Sequence, residues 1–117
     1  MICNPAALVL VPFPYADLQT SKKRPVLVLT APDRHGDFIA LAVTTVQPRE
    51  HALELEPAAL AEGSLPRRSW VRLDKIFTLG QEAVVKTFGE VTPSFMSRLL
   101  DGLCGRIGYR IEAGKPR

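Results

Sequence analysis

Apolar positions in the first ninety residues come in short Val- and Leu-rich runs cut by turn residues, a β pattern with few interruptions. ALVLVPF (7–13) and PVLVLT (25–30) read as strands, because β-branched residues favour a pleated surface. Between them, PYADLQTSKKR is longer than the roughly two to five residues of a tight hairpin, which marks it as a candidate functional loop. APDRHGD (31–37) carries the Pro, Asp and Gly of a hairpin turn. FIALAVTTV (38–46) follows as a third strand and ALEL (52–55) as a short fourth.

EPAALAE (56–62) fits one or two helical turns, with Pro57 suited to a first helical position and Gly63 to a stop. Residues 69–73 open another strand, inside the longer strand-like stretch 69–79, and AVVKTFG (83–89) forms one more. The period then changes. Thr92 is a good N-cap with Pro93 behind it, and Phe95, Met96, Leu99, Leu100, Leu103 and Ile107 recur every three or four residues. That stripe predicts a terminal helix packed on the sheet, or in part on a second copy of the chain. The polar tail 108–117 is expected to fray. Strands do not alternate with long helices, so the expected fold is mainly β: a small, strongly twisted antiparallel barrel with a short helical insertion and a C-terminal α-helix.

Length and composition fit this picture. The chain has 117 residues, 46% hydrophobic and 23% charged, the profile of one globular domain with its own core. Its apolar runs fall short of the roughly 20 residues of a membrane span. Cys3 and Cys104 lie far apart, His35 and His51 are isolated in sequence, and no spacing suits zinc. A cytoplasmic protein with reduced thiols and no metal or other cofactor is expected. The net charge of +3 is mild, but its distribution says more: Lys22, Lys23 and Arg24 form one cluster, and Arg67, Arg68, Arg72 and Lys75 another. Brought together, they would attract phosphate.

Gly-rich phosphate loops and G-x-S-x-G elbows are absent. Polar residues in or beside strands remain. Arg24 precedes Pro25, Thr44 and Thr45 interrupt the third strand, and Arg72 and Asp74 stand two apart in WVRLDKIFTL. Alternate residues of a strand share a face, so Arg72 and Asp74 are presented side by side. Arginine can hold a phosphate and stabilise a pentacoordinate transition state, aspartate can move a proton, and threonine can bond a phosphate oxygen. Those groups suffice for metal-free RNA cleavage, in which the substrate's own 2′-OH attacks phosphorus. The same pair also fits a surface ion pair worth roughly 0–1 kcal/mol. Trp70 is expected to pack in the core or against a second copy.

In combination and order, VLVPFPYADL (9–18), KKRPVLVL (22–29), VTT (43–45) and WVRLDKIFTL (70–79) resemble the PemK/MazF family of toxins from type II toxin–antitoxin systems. The resemblance implies an SH3-like barrel that forms a homodimer and cuts single-stranded mRNA sequence-specifically without metal, leaving a 2′,3′-cyclic phosphate. It also implies a cognate antitoxin that occupies the RNA groove. Carried over residue by residue, Arg24 neutralises the phosphate with Thr44 or Thr45 assisting, and Asp74 is the base. Arg72 and Asp74 match the positions of the family's acid–base pair, with Arg72 as acid or charge stabiliser; stabilisation is favoured, since a guanidinium with a pKa above about 12 is an awkward acid. Lys22, Lys23, Thr45, Arg67, Arg68 and Lys75 are the expected RNA-binding residues.

Two departures stand out. Ala6-Ala7 occupies the place where many members carry Gly-Asp. The loop before Arg24-Pro25 lacks the usual acidic residue, leaving Asp17 as a distant substitute. The competing expectations are a non-catalytic binding module, of the gyrase-poisoning kind or a degenerate nucleic-acid or antitoxin binder, and a plain structural domain.

Overall fold

Among the described residues, seven strands, all paired antiparallel, form one sheet in the order β4-β6-β3-β2-β1-β7-β5. The computed structural model describes residues 4–13 and 22–108. The loop 14–21 with Asp17, Cys3, and most of the expected tail lie outside the described residues. The strands are β1 (Ala7–Phe13), β2 (Lys22–Val28), β3 (Asp37–Thr44), β4 (Ala52–Glu54), β5 (Leu60–Gly63), β6 (Trp70–Gly80) and β7 (Lys86–Val91), followed by helix α1 (Pro93–Arg106). The sheet curls into a half-barrel with α1 packed against it, the mainly β architecture that the sequence predicts.

β1 and β2 lack polar alternation because both their faces are covered. Leu8, Leu27, Leu41, Val71 and Leu73 join Phe95 and Leu99 of α1 in one core. Ala7, Val9, Val11, Val26 and Val28 meet Phe38 and Ala40 in a second, on the other face. At about 25 cal/mol per Å² of apolar area, two such clusters are the main force holding the sheet curled.

α1 starts where Thr92 Oγ1 accepts the Phe95 N–H at 3.1 Å, with Pro93 in the first turn. The Thr92 N–H donates to Ala59 O at 2.8 Å, tying the helix start to the insertion. The apolar stripe divides: Phe95 and Leu99 are buried and Met96 and Leu103 half-buried against the core, whereas Leu100 and Ile107 are 43% and 66% exposed. Cys104 is a half-buried free thiol.

Several boundaries differ from the sequence reading: β3 spans Asp37–Thr44, ending two residues short of the expected Val46. β2 begins at Lys22 rather than 25, because Lys22, Lys23 and Arg24 continue the ladder opposite Phe13, Pro12 and Val11. The expected helical insertion is one 3-10 turn, Pro57–Ala59. From Leu60 the chain turns extended and pairs as an edge strand with β7. Gly63 therefore ends a strand, at φ +80°, where a Cβ would collide with the Phe88 carbonyl oxygen. β7 starts at Lys86, after a 3-10 turn at Gln81–Ala83. At β2 and β5 cross-strand pairing overrides local preference; at β7 a local turn shortens the strand.

Candidate active site

β6 runs beside β3 for almost its whole length, but not evenly. Leu41 pairs with Ile76 and Val43 with Val71, so a single β3 residue, Ala42, stands against four residues of β6, 72–75. A bulge of this size bends the strand and re-aims its side chains. The stretch turns instead to β4, where Ala52 pairs with Arg72 and Leu53 with Val71. The Leu73 N–H donates to His51 O at 2.7 Å. Leu73 is buried at 6% exposure and rests against α1, where a Cβ on Gly102 would lie only 2.9 Å from Leu73 Cδ1. With Leu73 pointing into the core, its neighbours Arg72 and Asp74 share the opposite face.

There they form a two-pronged pair: Arg72 Nε donates to Asp74 Oδ1 at 3.1 Å and Nη2 to Oδ2 at 2.9 Å. Both side chains are partly buried, 33% and 22% exposed. Hydrogen bonds from Arg72 hold the Asp74 carboxyl below the usual carboxylate range against the opposing effect of burial, and the charges of Arg72 and Lys75 add to the lowering. The pair uses two of the five guanidinium donors, so Arg72 keeps N–H groups for a second anion.

Arg72, Asp74 and Thr44 line one cleft of about 270 Å³, closed on its other side by the connection from Val46 to His51. Thr44 Oγ1 accepts the Val46 N–H at 3.1 Å, which fixes the turn into that connection. His51 ends it with a left-handed backbone, φ +57°, an uncommon conformation outside glycine. Its Nε2 lies 3.5 Å from Glu50 Oε1.

The other residues singled out in the sequence, Arg24 among them, do not line this cleft. Two residues beyond the paired Val26 and Ala42 come Arg24 on β2 and Thr44 on β3, so exposed Lys22, Lys23 and Arg24 belong to the same end of the sheet as Thr44. Lys75 is exposed next to Asp74. Thr45 and Arg67 line a separate cavity of about 420 Å³ with Leu10, Pro25, Lys86 and Phe88. Arg68 is held by Glu54 (Nε to Oε2 2.8 Å, Nη2 to Oε1 3.0 Å) and stacks 5.1 Å from the centre of the Trp70 ring. Trp70 itself is buried.

Arg49 and His51 are cleft residues that reading the sequence did not single out. The usable signal was the polar connection QPREH between two apolar strands, since loops carry function more often than strands do. Among the described residues, no group of three or more His, Cys, Asp or Glu could hold a metal ion, and no helix is long and apolar enough to cross a membrane.

Solved structures of the same fold include an endoribonuclease in complex with its cognate antitoxin from a mycobacterial species. It has a TM-score of 0.71 and 23% identity, with 92% of this chain and 96% of that one covered. The Mycobacterium tuberculosis toxin MazF-mt6 gives 0.72 at 16% identity, covering 90% and 99%. A MazE–MazF structure from Deinococcus radiodurans gives 0.71 at 17%, covering 94% and 99%. No curated protein matches the chain. The model of the PemK-like, MazF-like toxins matches residues 4–105. With the match running from before β1 almost to the end of α1, the chain belongs to that family of type II toxin–antitoxin toxins.

Proposed function

We propose that the protein is a sequence-specific endoribonuclease that cuts single-stranded mRNA in the cytoplasm without a metal ion. The observation that carries this reading is the Arg72–Asp74 pair, displayed by the β6 bulge in an open cleft beside Thr44. Asp74, ionised because its carboxyl is held low, accepts the 2′-hydroxyl proton while the 2′-oxygen attacks the adjacent phosphorus. Arg72 stabilises the charge gathering on the phosphorane with its remaining donors. Arg24 neutralises the scissile phosphate, and Thr44 donates to one of its oxygens. Lys22, Lys23, Thr45, Arg67, Arg68 and Lys75 bind the flanking strand, mainly through charge.

Membership of a toxin family supports a cognate antitoxin as partner, and the mycobacterial neighbour is itself such a complex. A homodimer is the proposed working form, for which the exposed Leu100 and Ile107 of α1 offer apolar surface.

The test is incubation of purified protein with a long single-stranded RNA in EDTA, wild type beside Asp74→Ala, with 5′ ends mapped. Discrete cuts that vanish in the variant establish the nuclease and give its recognition sequence. Intact RNA with folded, antitoxin-free protein overturns the reading and favours a non-catalytic module, such as a gyrase poison, which damages DNA topology and spares RNA.

A further inference from the structure

Transesterification by the 2′-oxygen needs two proton movements, and the Arg72–Asp74 pair supplies one. The departing 5′-oxygen has to be protonated. Arg72 does not release a proton. Asp74 is the base, and its carboxyl is held in the ionised form by Arg72. The other charged or titratable groups on the cleft are Arg49, Glu50 and His51. Imidazole is the side chain suited to exchanging a proton near neutral pH. Glu50 Oε1, 3.5 Å from Nε2, is placed to pair with the imidazolium, while Glu50 itself is 77% exposed and turned to solvent.

The backbone adds an independent observation. His51 sits at φ +57°, held there by the Leu73 N–H on its carbonyl at 2.7 Å. Non-glycine residues in such conformations carry a cost and gather at functional sites. The same hydrogen bond couples His51 to the residue between Arg72 and Asp74. That bond fixes the His51 backbone beside β6, and His51 and Asp74 line the same cleft.

We propose that His51 is the general acid of the cleavage, giving its proton to the 5′-oxygen. The proposal rests on the nuclease reading above. The P–O2′ bond forms and the P–O5′ bond breaks; the 2′-hydroxyl proton passes to Asp74, and the imidazolium proton passes to the leaving oxygen. The products are a singly charged 2′,3′-cyclic phosphate and a 5′-hydroxyl. Between turnovers solvent carries the proton from Asp74 back to His51. Arg49, Glu50, Arg72 and Asp74 are the charged groups that line the cleft with His51.

The test compares a short single-stranded RNA spanning the cut site with the same RNA carrying sulfur in place of the bridging 5′-oxygen. A thiolate leaves without protonation, so loss of a general acid slows only the oxygen substrate. His51→Asn is the variant of choice, because asparagine tolerates a left-handed backbone. Expected is a fall of about 10²–10⁴-fold on the native linkage, with the sulfur linkage cut at close to the wild-type rate. In the wild type, activity on the native linkage falls at high pH as the imidazolium is lost, and the sulfur substrate lacks that limb. This second readout needs no variant.

His51→Asn cutting the native linkage like wild type, or slowed equally on both substrates, overturns the assignment. So does a wild-type alkaline limb shared by both substrates. In those cases cuts that still require Asp74 leave the nuclease itself standing. Wild type that cuts neither RNA overturns both readings.

Discussion

Two arginine–carboxylate pairs of nearly the same geometry stand on the same strand region, and their settings differ. Arg72–Asp74 and Arg68–Glu54 are each two-pronged, with contacts of 2.8–3.1 Å. The first is formed within one strand, two residues apart, half-sheltered on a cleft with Thr44 and His51. The second joins the approach to β6 with edge strand β4, and its arginine is 68% exposed and lies over Trp70. One pair is mounted on a bulge with an open space before it; the other clasps two segments over a buried aromatic ring. Geometry of the ion pair alone does not separate the proposed reacting pair from a fastening; the proposal rests on the difference in surroundings.

The sharpest way to break this contrast is Asp74→Asn. Expected is a loss of about 10²–10⁴-fold in kcat on a mapped RNA site, with little change in KM. The thermal melt shifts only slightly, because a partly exposed pair contributes about 0–1 kcal/mol. A large fall in Tm with normal kcat would make the pair a fastening after all.

Next in size is Arg72→Lys, expected to cost about 10²-fold or more in kcat. An ammonium keeps the charge but not the planar fork that serves Asp74 and phosphate together. Near-normal cleavage by this variant would reduce Arg72 to a point charge.

Arg68→Ala sharpens the comparison from the other side. Its expected effect is a few-fold rise in KM at unchanged kcat, with the salt dependence of RNA binding shallower by about 0.7 in log–log slope. A kcat effect as large as that of Arg72→Lys would erase the distinction between the two pairs.

The smallest effect is on acid stability. In the folded state the Asp74 carboxyl is held below its ordinary value of 3.8, so the unfolded chain binds more protons between the two values. The stabilisation is fully present above that ordinary value and lost as pH falls through the lowered one. The stability difference between wild type and Asp74→Asn should therefore be level near neutrality and shrink below about pH 4. Chemical denaturation at several pH values measures it, and a difference that grows in acid contradicts the stated origin of the shift.

How far the sequence could be read depended on whether a signal was local. The ALVLV run, the Thr92-Pro93 cap and the apolar rows of α1 are local, and they led to the strands and the helix. Residues 60–63 were misread because nothing within EPAALAE shows that β7 waits to pair with it. Lys22–Arg24 looked like loop for the same reason, the partner being β1. At the site, the i, i+2 spacing made the Arg72–Asp74 pair visible. His51 was not visible, because its place depends on the bulge that brings residues 72–75 to β4 and on a left-handed turn that a histidine does not announce.

That bulge also bears on how this chain can change over time. Leu73 sits between Arg72 and Asp74 and fills the core against α1 at Gly102. Removing one residue from 72–75 would shift the alternation by one and expel Leu73 as it inverts the polar pair. Under the proposed chemistry, the lineage can lose activity by point substitution, leaving an intact scaffold, but hardly by deletion, since Leu73, between the two proposed catalytic residues, also packs the barrel against its helix.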